Sequence, residues 1–99
     1  MKESRKYSID YKIAFKKAIV STKKNFHLVR YDEKNGIIDC KTGTSIWSWG
    51  ETILISVKRI EKGKTRVTID SSPLMQLFDW GKSEDNVSKF FSFFEETGT

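Results

Sequence analysis

Residues 47–71, WSWGETILISVKRIEKGKTRVTIDS, decide the fold of this 99-residue chain. Apolar and polar side chains alternate on both sides of Glu61-Lys62-Gly63-Lys64, which is typical of half-buried β-strands. Gly63 can adopt the positive φ that a tight reversal requires. This stretch therefore predicts a β-hairpin, with strands at Trp47–Ile60 and Thr65–Ser71.

A second hairpin is predicted just before it. Aromatic and β-branched residues run from Phe26 to Tyr31, and an apolar pattern resumes from Ile37 to Thr42. The polar loop between them ends in Asn35-Gly36, a pair that tolerates positive φ. The two hairpins together predict four antiparallel strands in a meander.

Helical periodicity appears on either side of the strands. Residues 10–23 have an apolar stripe at i, i+3, i+4, i+7 and i+8, with Asp10 as the predicted N-cap. The second helix is predicted to have Ser83 as its N-cap, and its predicted buried stripe is Val87, Phe90, Phe91 and Phe94. Both helices can cover the same face of the sheet.

The predicted fold is thus α+β: a four-stranded antiparallel meander with two helices packed on one face. The segment Lys6–Ile9 could add a short N-terminal strand. The length predicts a single domain over residues 1–99. We expect residues 1–6 to be flexible and residues 96–99 to form a flexible tail.

Composition favours an ordinary globular, cytoplasmic protein. The chain is 37% hydrophobic and 31% charged, and it has one cysteine. No window approaches the length of an apolar membrane span, so no membrane association is predicted. The formal net charge is +5, with the basic excess in residues 1–34, which can mark a polyanion-binding surface.

Two similar tetrads precede regular elements: Ser48-Trp49-Gly50-Glu51 and Asp79-Trp80-Gly81-Lys82. Gly50 suggests a β-bulge that would turn the tryptophans and Glu51 relative to the following strand. A Glu51–Lys82 ion pair is a further hypothesis. Exposed aromatic rings can bind bases, sugars or a partner, although packing in the core is the favoured interpretation. The candidate ligand or partner surface is Trp47, Trp49, Trp80 and Phe93.

The motifs SWGE and DWGK, joined through IDSSP and followed by a helix with a Phe run, resemble those of a group of small, mostly bacterial proteins of unknown function. The resemblance covers about Ser8 to Phe94. It implies a TBP-like or helix-grip-like layout, and it is looser to domains of an outer-membrane assembly lipoprotein. It implies no reaction.

Enzymatic chemistry finds little support. His27 lies in a predicted strand without a recognisable nucleophile motif around it, and Cys40 is interpreted as a small buried hydrophobe. Acidic pairs do not have the loop spacing of a calcium site, and no glycine-rich phosphate loop is present. We therefore predict a non-enzymatic protein without metal or cofactor.

Two functions follow as expectations. The first is a binding or interaction domain, with a protein partner or a second copy of the chain as its partner. The alternative is a basic nucleic-acid or anionic-surface binder that uses the first helix and the 58–66 hairpin. Its candidate residues are Lys12, Lys16, Lys17, Lys23, Lys24, Lys58, Arg59, Lys62, Lys64 and Arg66.

Overall fold

A computed structural model of the chain describes residues 2–42, 51–73 and 82–96. In chain order the described elements are β1 (Lys2–Tyr7), α1 (Tyr11–Asn25), β2 (His27–Asp32), β3 (Ile37–Lys41), β4 (Glu51–Glu61), β5 (Lys64–Pro73) and α2 (Lys82–Glu96). Within these ranges neither helix is long and apolar enough to cross a membrane.

The strands form one antiparallel sheet in the order β1-β5-β4-β3-β2. The predicted meander is confirmed for β2 to β5, and the α+β class with it. The described sheet has five strands, however, where the meander alone predicted four. The additional strand lies at Lys2–Tyr7, earlier than the predicted Lys6–Ile9, and it pairs with β5 at the sheet edge.

The turns have the geometry that their glycines predicted. Gly36 has a φ of 69° and Gly63 a φ of 76°, both in the left-handed region that residues with a Cβ rarely adopt. Pro73 is the last residue of β5, as expected for a residue without a backbone N–H.

Both helices pack on the same face of the sheet and against each other. Helix α1 contributes the buried side chains of Ala14, Phe15 and Ala18. Asp10 occupies its N-cap position, as predicted, although the Asp10 side chain makes no capping hydrogen bond. The predicted buried stripe of α2 is confirmed: Val87, Phe90, Phe91 and Phe94 are all buried.

The hydrophobic core lies between the helices and alternate residues of the three central strands. Its strand members are Ile38, Cys40, Ile53, Ile55, Val57, Val67 and Ile69. Because side chains of a strand point alternately to the two faces, the residues between these positions lie on the opposite face of the sheet. No described helix covers that face, which we call the open face.

Candidate functional site

The open face carries three cations in one row across neighbouring strands. Lys6 of β1 lies opposite Arg66 of β5, and Arg66 lies opposite Lys58 of β4. Arg66 lies between the buried residues Thr65 and Val67, so its side chain points away from the helices. Since adjacent strands are about 4.8 Å apart, the three positions span roughly 10 Å. We call Lys6, Arg66 and Lys58 the basic row.

The basic row is not neutralised by the part of the chain that the structure describes. None of its members makes a salt bridge with a described residue. Like charges directly opposite each other on neighbouring strands destabilise a sheet, by up to about 1 kcal/mol per pair. The row therefore opposes folding, and a packing role does not explain it.

A row of hydroxyl groups lies beside the basic row. Ser4, Thr68 and Ser56 are opposite one another on β1, β5 and β4, and they lie two residues further along each strand on the same face. The hydroxyl oxygens of Ser4 and Thr68 are 2.7 Å apart and share a hydrogen bond. Hydroxyl donors next to lysine and arginine are the groups that contact phosphate oxygens in protein–nucleic acid complexes.

The basic row continues into a shallow groove at the end of the sheet. The groove has a volume of about 350 Å³, and its lining includes Lys34, Lys58, Arg59 and Asn35. It lies where the β2–β3 turn crosses β4, because the Val57 N–H donates to the Gly36 carbonyl oxygen at 2.8 Å. Lys34 and Arg59 therefore lie close to the Lys58 end of the row, although Arg59 is opposite the buried Thr65 and so lies on the helix-covered side of β4.

The middle of the open face has mixed charge. One row runs through Lys2, Asp70, Leu54, Asp39 and Arg30. The Arg30 Nε atom lies 2.6 Å from an Asp39 carboxylate oxygen, and hydrogen bonding to that carboxylate raises the pKa of Arg30. The positive charge without a described counter-ion is thus concentrated at the β1–β5–β4 end.

Strand β1 is held in place by a network with α2, which positions Lys6 and Ser4. Glu95 accepts a hydrogen bond from the Tyr7 hydroxyl at 2.6 Å and one from Arg5 at 2.7 Å. These hydrogen bonds hold the pKa of Glu95 below its ordinary value. The Arg5 guanidinium also lies 4.4 Å from the centre of the Phe91 ring, a cation–π contact.

The residues predicted to bind a polyanion are divided between two layers. The lysines of α1 lie on the helical layer, and Lys17 lies 5.0 Å from the centre of the Phe94 ring. Lys58 and Arg66 lie on the open face, on the other side of the sheet. Of the remaining candidates, Arg59 lines the groove, Lys62 lies in the hairpin turn, and Lys64 makes an ion pair with Glu61 at 3.1 Å. Helix α1 and the hairpin thus do not form one continuous face.

Sequence reasoning missed Lys6 and Ser4, because residues 1–6 were expected to be flexible. The available sign of a strand was the alternation of Glu3, Arg5 and Tyr7 with Ser4 and Lys6. Because β1 has few apolar residues, this alternation does not show as a hydrophobic pattern. The sheet register was also needed, since it is the register that brings Lys6 opposite Arg66.

The tryptophan predictions lie outside the described residues. These comprise Trp47, Trp49 and Trp80, together with Ser48, Gly50, Asp79 and Gly81 of the tetrads. The side chains of Glu51 and Lys82 are likewise outside the described part, so their ion pair stays a hypothesis. Phe93 is half-buried on α2.

The two residues weighed for catalysis lie on neighbouring strands but on opposite faces of the sheet. His27 is exposed on β2, whereas Cys40 is buried, with 1% of its surface exposed. Burial raises the pKa of the Cys40 thiol to about 12, which disfavours the reactive thiolate. Among the described residues, no group of three or more His, Cys, Asp or Glu side chains could hold a metal ion.

The chain matches no protein-family model and no curated protein sequence.

Proposed function

We propose that this chain is a non-enzymatic binding module whose ligand is a nucleic acid, contacted along its phosphate backbone by the open face. The single observation that carries the proposal is the basic row Lys6–Arg66–Lys58. Three cations placed in register cost the folded sheet stability, and a chain of phosphates would offset that repulsion while releasing its own counter-ions.

The neighbouring groups favour a phosphate polymer over an anionic membrane. The row is bordered by the hydroxyls of Ser4, Thr68 and Ser56, which can donate hydrogen bonds to phosphate oxygens. Peripheral membrane binding usually adds several apolar side chains that enter the bilayer. Beside the row the neighbouring hydroxyl positions are polar, and Ile60 is a single exposed apolar side chain near Lys58. Nucleic acid is therefore the ligand that we propose.

Binding should not depend on base sequence. Direct readout of bases uses arginine forks, amides or stacked aromatic rings in reach of base edges. Among the described strand positions of the open face there is no Phe, Tyr, Trp, Asn or Gln. Of the two arginines on that face, Arg30 pairs with Asp39, and Arg66 lies between Lys6 and Lys58 in the row that we assign to phosphate contacts. Contacts to phosphate fix position and carry no sequence information.

A cytoplasmic location and membership of the small bacterial group with a TBP-like layout are part of the same proposal.

The test is binding of a fluorescently labelled, mixed-sequence oligonucleotide, single-stranded and duplex, measured by anisotropy over a range of salt concentrations. With three phosphate contacts, log K should fall with log salt at a slope of roughly −2 to −3. Lys58→Gln should weaken binding and reduce that slope by about 1. Lys16→Gln is the matched control, because it removes the same charge from the helical layer, and it should leave the slope unchanged.

Stability distinguishes a binding role from a structural one. Because Lys58→Gln relieves repulsion from Arg66, we expect the variant to be as stable as the wild type, or more stable by a few tenths of a kcal/mol. Equal losses of affinity in Lys58→Gln and Lys16→Gln would show that only net charge matters, and the site would be wrong. Absence of salt-dependent oligonucleotide binding, or a clear preference for vesicles containing phosphatidylserine, would overturn the proposed function.

A further inference from the structure

The two edges of the sheet differ in their chemistry. Four of the six residues of β1 are charged, which is one way in which proteins protect an edge strand from pairing with another chain. Strand β2, at the other edge, carries Val29 and Tyr31, each 58% exposed. They are the two most exposed large hydrophobic residues of the described chain. An edge with such residues is open to an additional strand.

A β-bulge gives β2 a symmetric pattern. Five of its residues have partners on β3, namely His27, Leu28, Arg30, Tyr31 and Asp32, and the register shifts at Val29. Going along these five positions, side chains lie alternately on the open face and on the helix-covered face. In a regular six-residue strand without the bulge, His27 and Asp32 would lie on opposite faces. With the bulge, the order of faces along the five paired residues is the same from either end of β2.

We propose that two copies of this chain associate through antiparallel pairing of their β2 strands, which joins the two five-stranded sheets into one. A two-fold axis through the middle of β2, at Arg30, places each residue except the bulged Val29 opposite one from the same face. Leu28 then meets Tyr31 of the second copy on the helix-covered side, and His27 meets Asp32 of the second copy on the open side. A two-fold interface repeats each contact, so each of these pairs occurs twice.

The surroundings of β2 suit this occupant. On the helix-covered side, a depression of about 360 Å³ borders the edge, and its apolar lining includes Phe15, Ile19 and Tyr31. Leu28 of the second copy would lie beside this depression. Arg30 meets its own copy at the axis, but each Arg30 already pairs with Asp39 at 2.6 Å, which reduces the repulsion between the two guanidinium groups.

The inference is independent of the proposed nucleic-acid function. The basic row lies at the β1–β5–β4 end of the sheet, away from β2. The two kinds of association should also differ in their response to salt. Lys12, Lys16 and Glu33 line the depression beside the edge, so charges of both signs meet there, and salt should change dimerisation much less than it weakens oligonucleotide binding.

The experiment is sedimentation equilibrium of the full chain. We expect a monomer–dimer equilibrium with Kd on the order of 100 µM. Val29→Lys should abolish the dimer, because a lysine on an edge strand blocks pairing, while the exposure of Val29 lets the monomer fold. Ile13→Lys is the matched control: Ile13 is 50% exposed on α1, the change also replaces an exposed β-branched aliphatic side chain by lysine, and the dimer should persist.

A second variant addresses the register. His27 lies opposite Lys41 within the sheet, so His27→Glu adds a favourable cross-strand pair in the monomer. In the dimer the new carboxylate faces Asp32 of the second copy, and dimerisation should weaken by about tenfold or more. His27→Lys should retain the dimer. A wild-type chain that is monomeric at about 1 mM, equal effects of Val29→Lys and Ile13→Lys, or full dimerisation of His27→Glu would each overturn the proposal.

Discussion

Replacement of Gly36 by alanine should destabilise the protein strongly, for a reason that involves its surroundings as well as its backbone. Gly36 has a φ of 69°, which costs a residue with a Cβ about 1 to 2 kcal/mol. An ideal Cβ at this position would also lie 2.0 Å from the Val57 carbonyl oxygen and 2.9 Å from the Tyr11 hydroxyl. Real Cβ atoms do not approach a backbone oxygen so closely, so the turn must move away from β4.

The size of the effect follows from these contacts. Moving the turn breaks or lengthens the 2.8 Å hydrogen bond from the Val57 N–H to the Gly36 carbonyl oxygen, worth about 0.5 to 1.5 kcal/mol. Val57 itself is 3% exposed, and disturbing a packed strand costs about 1 to 3 kcal/mol. Alanine stiffens the unfolded chain and recovers about 0.4 to 1 kcal/mol. The expected net loss is about 1.5 to 6 kcal/mol, with a midpoint of about 4 kcal/mol.

Gly63 provides the matched comparison. Its φ of 76° is similar, but a Cβ added there would meet nothing within 4 Å. Gly63→Ala therefore carries the backbone cost alone, and we expect a loss of about 0.5 to 1.5 kcal/mol. Asparagine tolerates positive φ better than alanine, so Gly63→Asn should be nearly neutral, whereas Gly36→Asn keeps the clash and should still be costly.

Urea denaturation followed by far-UV circular dichroism measures the free energy of unfolding of all four variants. The reasoning requires the Gly36→Ala loss to exceed the Gly63→Ala loss by about 2 kcal/mol. If Gly36→Ala does not fold, Gly36→Asn supplies the comparison with Gly63→Asn. Equal losses at the two glycines would refute the argument that the close approach of β4 matters.

Two further predictions concern titratable groups. Hydrogen bonds from Tyr7 and Arg5 hold the pKa of Glu95 below its ordinary value, so the stability it contributes is present above that ordinary value and is lost as the pH falls through the lower folded value. Between about pH 5 and pH 3 the free energy of unfolding of Glu95→Gln should therefore fall less than that of the wild type. The difference should be no more than about 1 kcal/mol, because the side chain of Glu95 is 43% exposed. Parallel curves of unfolding free energy against pH would contradict this. The Cys40 thiol, with its pKa raised to about 12 by burial, should react with a thiol reagent at about pH 8 only as the protein unfolds in urea, and rapid labelling of the native protein would contradict its placement.

Much of the architecture could be predicted because local chemistry determines it. Gly63 and the alternation around it predicted the β4–β5 hairpin, and Asn35-Gly36 predicted the β2–β3 turn. The phenylalanine stripe of α2 was evident from helical spacing. Each of these features depends on residues near one another in the chain, where periodicity and turn preference act directly.

The candidate site could not be predicted in the same way, because it depends on register between distant strands. Lys6 and Arg66 form a cross-strand pair only because β1 joins the sheet beside β5. Strand β1 is hard to predict from sequence, because a highly charged edge strand lacks the alternation of apolar residues that marks a central strand. The close approach of Gly36 to Val57 is likewise a tertiary contact that no local pattern indicates.

The position of β1 also has a consequence for biosynthesis. Lys6 and Arg66 are partners, yet 66 − 6 = 60 positions separate them, so β1 is synthesised before β5 and must wait for it. At a translation rate of roughly 5 to 20 residues per second, the delay is about 3 to 12 s. Through that interval β1 has no β5 to pair with. Its four charged residues keep it hydrated and disfavour pairing with strands of other nascent chains.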